Sequence, residues 1–221
     1  MGELWQGLIE LLYGVLNFFY NNVVSDYGLA IILLTVAVRI AILPLTVKQT
    51  KSMYEMQKVQ PKLKELQEKY KNNKEKLQKE MMKFYTEHKV NPLGGCLPLL
   101  LQMPIFIALF QMLLKYKASL GLSLGLFKLG TAPGAALAFG PIAFIPYLVL
   151  IVLMGLTTYL PMKMMTADPQ QKKIGLMMIP LMVFFAWSLP TGVLLYWITT
   201  NIWTIGQQYI TIRLAKTAEV N

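Results

Sequence analysis

Apolar residues fall into long blocks along this chain. Runs from Gly28 to Val47, Leu97 to Leu114, Ile142 to Leu160, Ile174 to Leu189 and Gly192 to Leu214 are interrupted by few polar positions. Each is near the roughly 20 residues that carry a helix across about 30 Å of hydrocarbon. The pattern predicts five membrane-spanning helices. The last two are joined by Leu189-Pro190-Thr191-Gly192, a tight turn in which proline presets φ and glycine accepts a positive one, so they form a hairpin.

Two segments follow a different pattern. In the first 25 residues, polar or small side chains recur at Glu3, Gln6, Glu10, Gly14, Asn17 and Asn21, while Leu4, Leu8, Leu12, Leu16, Phe19 and Val23 take the other face. That is the period of an amphipathic helix lying in the membrane interface, with Trp5, Tyr13 and Tyr20 near headgroup depth. Glu3 and Glu10 weigh against a sixth span, and the stretch lacks the basic start and small-residue cleavage site of a signal peptide. Between the first two runs, Met56, Val59, Leu63, Leu66 and Tyr70 repeat at helical spacing, as do Leu77, Met81, Phe84 and His88 beyond Asn72-Asn73. Two antiparallel helices zipped along these narrow seams are expected, with a kink or restart at Pro61. A solvated spacer is the competing reading; its methionines and basic face also suit transient contact with lipid or an emerging chain.

Composition agrees with the membrane assignment. Hydrophobic residues make up 55% of the 221 and charged ones 14%, too apolar for a soluble domain of this size. The net charge of +10 is distributed unevenly. Twelve lysines lie between Lys48 and Lys89, with Lys163, Lys172, Lys173, Arg213 and Lys216 on the same side of the expected topology. Only Lys115, Lys117 and Lys128 lie opposite. Basic loops stay in the cytoplasm, which puts the N-terminus outside and the C-terminus inside. Six glutamates interleave with the loop lysines, so no unbroken basic stripe for nucleic acid forms, and no DNA partner is expected.

One position conflicts with its surroundings. Arg39 stands in the middle of an apolar run, where a guanidinium costs about 2.5–3.5 kcal/mol on insertion scales. It lies on the order of 12 Å from the cytoplasmic end, farther than snorkelling comfortably covers. No Asp or Glu occurs in any of the five runs, so water must reach it. Thr35 and Thr46 share its helical face, and Trp197, Thr200, Thr204, Gln207 or Gln208, and Thr211 form a second polar face in the last run. Gln102 adds a neutral amide in the second. Single polar stripes in membranes commonly serve interhelical hydrogen bonding; three with an unpaired arginine predict a hydrated groove.

The stretch NPLGGCLPLLLQMPIFIALFQML, Asn91 to Leu113, resembles the signature that follows the coiled-coil hairpin in YidC-type membrane protein insertases, the YidC/Oxa/Alb family. VAVRIAILPLTVKQTKSM resembles the arginine-bearing first core span, and DPQQKKIGLMMIPLMVFFAWSLPTGVLLYWITTNIWTIGQQ the last two. The resemblance runs in order from about Asp26 to Ile212. It implies an all-α integral membrane protein: five transmembrane helices around a hydrophilic groove, an N-terminal interfacial amphipathic helix (residues 1–25) and a cytoplasmic antiparallel helical hairpin (49–90). The first span would occupy 26–48, the other four 91–214, and a short cytoplasmic tail 215–221.

The resemblance further implies insertion of small client membrane proteins into the lipid bilayer of the bacterial plasma membrane, without ATP, through a groove open to cytoplasm and lipid. Arg39 would attract acidic residues in a client's translocating N-terminal tail. Thr35, Gln102, Trp197, Thr200, Asn201, Thr204 and Gln207 complete the expected client-binding groove, and the second and fourth spans form the slide along which the client leaves. The ribosome and the Sec translocon are further partners implied. The eight residues after Arg213 contain one lysine, so ribosome binding would fall to the hairpin. Some relatives carry a lipid-modified cysteine near the start or an extra N-terminal span with a large periplasmic domain; here the only cysteine is Cys96, read as a packing residue.

Catalytic chemistry finds no support. Gly121-Leu122-Ser123-Leu124-Gly125 spells the serine-hydrolase elbow, but the only histidine, His88, lies on the opposite side of the expected membrane. One His and one Cys do not make a zinc site, and no phosphate loop is present, so no cofactor is expected. A small transporter or channel is the alternative function, weakened by the lack of an obvious internal repeat.

Overall fold

The structure is a computed structural model that describes residues 2–88, 90, 97–116, 121–165 and 169–220. It is an all-α protein with one two-stranded ribbon among the described residues. Helix α1 (Gly2–Phe19) continues into a short π-helical turn, Tyr20–Val24, and meets α2 (Tyr27–Ala41) at a bend of 118°. The reversal is made by Ser25, whose φ is 42°, and by Asp26, whose carboxylate Oδ1 accepts from Leu29 N at 2.9 Å and caps α2.

Helix α1 packs on α2 and on α5 (Leu97–Lys115). Ile9, Leu12 and Leu16 are buried there, Tyr13 stacks on Tyr116 at 3.5 Å, and Trp5 Nε1 donates to Gln111 Oε1 at 2.7 Å. The expected apolar face is therefore split. Leu12 and Leu16 face the protein, whereas Leu4 stays 85% exposed and Val23 is exposed with it. A helix with apolar side chains toward both protein and surroundings suits an interface better than water.

The first apolar run is not one helix. It breaks at Ile42, because Pro44 in the first turn of the next helix has no N–H with which to continue the ladder. Helix α3 (Leu43–Lys69) then runs without interruption into the first arm of the hairpin, so the boundary expected at residue 48 falls inside it. No restart occurs at Pro61 either; this residue lies on the exposed side of α3, where water can satisfy the carbonyl that proline leaves free. Asn73 Oδ1 accepts from Lys76 N at 3.0 Å and starts α4 (Lys74–Glu87). Leu63 and Phe84 are the buried points of the seam, and His88 stacks on Phe84 at 4.0 Å.

The remaining helices are α6 (Pro133–Ala136), α7 (Pro141–Met165), α8 (Pro169–Ser188) and α9 (Thr191–Val220). Helix α9 is central and packs on α2, α3, α5 and α7. The core is formed by Ile31 and Leu34 of α2, Leu109 and Met112 of α5, Met154 of α7 and Val193 and Leu194 of α9. Small residues set the helix spacing: Ala30, Ala108 and Ala186 are fully buried. The outer faces are apolar, with Ile142 82% exposed on α7 and Met177 and Phe184 each 70% exposed on α8. By length and composition Pro141–Met164 is long and apolar enough to cross a membrane; Leu101–Lys115 and Leu176–Ser188 are shorter apolar helices.

A compact cap closes the end of the bundle where α2 and α9 begin. Strands β1 (Leu122–Ser123) and β2 (Phe127–Lys128) pair antiparallel, and the segment after them threads over the helix ends. Ser123 Oγ donates to Asp26 Oδ1 at 2.8 Å and Leu124 N to Asp26 Oδ2 at 2.7 Å. Lys128 N donates to the Tyr147 hydroxyl at 2.8 Å, Thr191 Oγ1 to Thr131 O at 2.7 Å, and Gly192 N to Leu129 O at 2.9 Å. Ser123, the serine of the hydrolase-like pentapeptide, is thus a buried latch side chain.

Candidate functional site

The other half of the bundle contains a cavity of about 700 Å³. Its position follows from the break at Ile42. Ending α2 there leaves Arg39 in the last turn, where the carbonyl end of a helix favours a cation. The restart turns Thr46, Gln49, Thr50 and Met53 of α3 toward the same space. Arg39 is only 9% exposed. Its Nη2 donates to Gln102 Oε1 on α5 at 3.0 Å, and Gln102 Nε2 donates to the Tyr196 hydroxyl on α9. Three helices thereby hold one guanidinium through neutral groups. Among the described lining residues Arg39 is the only charged one.

Helix α9 supplies the longest wall. Tyr196, Trp197, Thr200, Asn201, Thr204, Gln207 and Gln208 all line the cavity. Trp197 is set edge-on to Phe106 with ring centres 5.2 Å apart. Asn201 Nδ2 donates to Thr158 Oγ1 of α7 at 3.0 Å, and Thr46 Oγ1 lies 3.1 Å from Gln207 Oε1, joining α3 to α9. The opposite wall is apolar and soft, with Met103 and Phe106 of α5, Met154 of α7 and Met182 and Phe185 of α8. One wall offers hydrogen bonds and the other unbranched thioethers and rings, which adapt to varied apolar shapes.

Comparison with known proteins places this architecture. The family model described as 60Kd inner membrane protein matches residues 18–218. The chain belongs to this family. The "Membrane protein insertase YidC" of Geobacter sulfurreducens is 41% identical over 203 residues, covering 91% of this chain and 36% of that protein. The protein of the same name from Haemophilus influenzae is 42% identical, covering 88% and 35%. The chain therefore spans about a third of the length of these relatives. A solved structure titled "Active YidC insertase crystal structure with the first transmembrane domain resolved" aligns with a TM-score of 0.68 at 29% identity, over 89% of this chain and 45% of that one.

For this member of the 60Kd inner membrane protein family, the expected groove residues are distributed as follows. Arg39, Gln102, Trp197, Thr200, Asn201, Thr204 and Gln207 come together around the cavity. Thr35 is not among the lining residues; it is 1% exposed, and its hydroxyl donates to Ile31 O at 2.7 Å within its own helix. Thr211 is buried but also lies outside the lining. Reading periodicity missed Tyr196, Gln49, Thr50 and Met53. Gln49 and Thr50 follow Lys48 and read as the start of a water-exposed arm; the cue was that a helix restarted at Pro44 carries its first turns alongside the bundle. Cys96 and the start of the Asn91–Leu113 signature lie outside the described residues. Among the described residues no group of three or more His, Cys, Asp or Glu side chains is arranged to hold a metal.

The arrangement has clear chemical limits. A buried cation held by the Gln102 amide, with no other charge among the described lining residues, can accept a carboxylate without first breaking an ion pair. It contains no nucleophile–base pair among the described residues.

Proposed function

We propose that this chain is a membrane protein insertase that moves small client membrane proteins from the cytoplasm into the bilayer without ATP hydrolysis. The observation that carries the reading is Arg39 as the only charged residue among the described residues lining a half-polar, half-apolar cavity; the names of the family relatives support it. In this reading the five apolar runs span the plasma membrane with the N-terminus outside, and α1 lies in the outer interface. The cap at the α2 and α9 ends closes the outer side, and the cavity faces the cytoplasm and lipid. An acidic client tail rests at Arg39 part-way across, which shortens the apolar barrier. An inside-negative potential then favours outward movement by about 2.3 kcal/mol per charge per 100 mV. The client's apolar helix leaves past the methionines and phenylalanines of α5 and α8, and its transfer to lipid supplies the rest. No chemical step is needed. Hairpin contacts with the ribosome or the Sec translocon belong to the same reading.

The test is reconstitution of the purified chain in liposomes with a small single-span client, scored by protease protection. Protection that depends on the protein and not on ATP is expected; equal protection in protein-free liposomes would refute the reading.

A further inference from the structure

The cap contains a turn whose first central residue suits neither its backbone nor water. Strands β1 and β2 are joined through Leu124 and Gly125, whose φ angles are 53° and 65°, and Leu126 N donates to Ser123 O at 3.0 Å. Two positive φ values at the centre of a hairpin turn are the setting that favours Asn-Gly or Asp-Gly. A leucine there is strained, because its Cβ crowds the carbonyl oxygen that follows. The Asp26 carboxylate enforces the strain by accepting from Leu124 N at 2.7 Å. Yet Leu124 is 50% exposed and Leu126 54%, so the strain is not repaid by burial in the core. Leu137 and Phe139 are exposed as well, and Lys128 Nζ, 4.9 Å from the centre of the Phe139 ring, ties the ribbon to them. Residues 121–140 carry five leucines, two phenylalanines and a single charge, Lys128. An exposed apolar patch of this kind marks a place where lipid or another protein meets the molecule.

We propose that the tip of this ribbon is a lipid anchor, with Leu124 and Leu126 seated in the outer leaflet just below the headgroups and Lys128 reaching back to the lipid phosphates. The proposal rests on the membrane placement given under the proposed function, and not on what the groove carries. Depth decides between lipid and water. Helix α7 presents Ile142, Ile145, Val149, Val152 and Leu156 as one exposed stripe at helical spacing, the lipid face of a span. That stripe begins in the first turn of α7. Tyr147 lies about 9 Å into the helix by its rise. Its hydroxyl accepts from Lys128 N at 2.8 Å, and its ring meets Phe127 edge-on with centres 6.2 Å apart. Side chains on a helix lean toward its N-terminus, so these contacts fix β2 beside the first turns of α7. The ribbon is therefore level with Ile142 and Ile145, and a span that is in lipid at Ile142 does not leave the ribbon beside it in bulk water. The tip side chains, Leu124, Gly125 and Leu126, offer no directed hydrogen bonds by which a protein partner is recognised; lipid requires none. Lysine suits the rim of such a patch, since its stem lies along apolar surface while its ammonium stays at the headgroups. Through Asp26, at the reversal between α1 and α2, the anchor ties the cap to the leaflet in which α1 lies.

The experiment uses the full chain with Cys96→Ala, reconstituted without any client in vesicles of phosphatidylcholine and phosphatidylglycerol. Single cysteines introduced by Leu124→Cys, by Leu126→Cys and, as a mid-span reference, by Val152→Cys carry an environment-sensitive fluorophore. Iodide on both sides of the membrane reads exposure to water, and lipids brominated high or low on the acyl chain read depth. The labels of Leu124→Cys and Leu126→Cys are expected to be quenched severalfold more by lipids brominated near the headgroup than by iodide. The label of Val152→Cys should be quenched most by lipids brominated near the chain end. Adding Leu124→Asn, which suits a positive φ better and keeps the turn, should raise iodide quenching of the Leu126→Cys label without lowering the unfolding midpoint. Strong iodide quenching at both tip sites, with the Val152→Cys label in lipid, overturns the anchor alone. Iodide quenching at all three sites overturns the membrane placement and the anchor with it. Protection of the tip from iodide and brominated lipid alike also overturns the anchor, and assigns the patch to contact between copies of the chain.

Discussion

The two ends of the helix bundle treat polar groups in opposite ways. At the capped end, Asp26, Ser123, Thr131, Tyr147 and Thr191 spend their hydrogen bonds on one another or on nearby backbone. At the cavity end, among the described residues, a guanidinium is held only by neutral groups and no carboxylate lines the wall. Threonine and tyrosine serve at both ends, so polarity alone does not mark the working site. The difference lies in charge: at the cap a carboxylate takes its donors from the fold and fixes shape, whereas at the cavity a cation has only neutral partners among the described residues.

The strongest way to break this comparison is to remove the charge from the open end. Arg39→Ala is expected to slow insertion of acidic-tailed clients roughly tenfold or more, since hydrogen bonds to charged groups are the strong ones. Neutral-tailed clients should be affected far less. Arg39→Lys should keep much of the activity, because it keeps the charge while losing the planar fork that meets Gln102. Arg39→Ala also leaves Gln102 Oε1 without its donor, so a small loss of stability accompanies it, and expression levels must be matched. If both client classes suffer equally, Arg39 works by keeping the cavity hydrated or the helices apart.

A smaller effect distinguishes the ends by packing. A Cβ built on Gly28 would collide with Ser123 Oγ and come within 2.9 Å of Ser123 Cβ, so Gly28→Ala must displace strand β1. Overpacking of this kind costs about 1–3 kcal/mol. Gly206, in the cavity half of α9, has nothing within 4 Å of the corresponding position, and Gly206→Ala should be neutral or slightly stabilising. Unfolding midpoints of the two purified variants check this; equal midpoints would mean that the cap is as yielding as the cavity wall.

Much of the open end was legible in the sequence, because its residues repeat at helical period within apolar runs. Trp197, Thr200, Thr204 and Gln207 stand at such spacing, and Arg39 is conspicuous against its neighbours. Thr35 shows where that reasoning stops. A threonine in a helix can satisfy its hydroxyl on its own carbonyl ladder, as this one does with Ile31 O, so its polarity says nothing about a groove. Gln49 and Thr50 were hidden by the opposite fault: their lysine-rich neighbours suggest a wet arm, whereas Pro44 restarts the helix so that they enter the cavity wall. The cap could not be read at all. Asp26 and Ser123 are 97 positions apart, and nothing in either stretch signals the other. The helices, the hairpin seam and the 60Kd family assignment follow from local pattern; the latch follows only from the packed fold.

That latch also supplies the most delicate test of the comparison. Burial of the Asp26 carboxyl would by itself raise its pKa, but the bonds from Leu124 N, Leu29 N, the Ser123 hydroxyl and Gly28 N outweigh it and hold the group below the ordinary carboxylate value. A carboxylate depressed in the folded state binds fewer protons there than in the unfolded chain. Its stabilising contribution is therefore complete above the unfolded pKa, near 3.9 for an aspartate, and is lost as pH falls through the folded value. Asp26→Asn keeps the shape and one acceptor but removes the charge and turns an NH₂ toward existing donors. At pH 7 the variant is expected to unfold at lower temperature than wild type. Between pH 7 and pH 5 the gap should stay constant, and below about pH 4 it should narrow as the wild-type carboxylate is protonated. Calorimetry of both proteins across that range reads it directly. Since the open end has no carboxylate among its described lining residues, Arg39→Ala should leave this acid limb unchanged. A gap that persists undiminished down to pH 3 would show that the cap is held by the shape of the Asp26 turn and not by its charge.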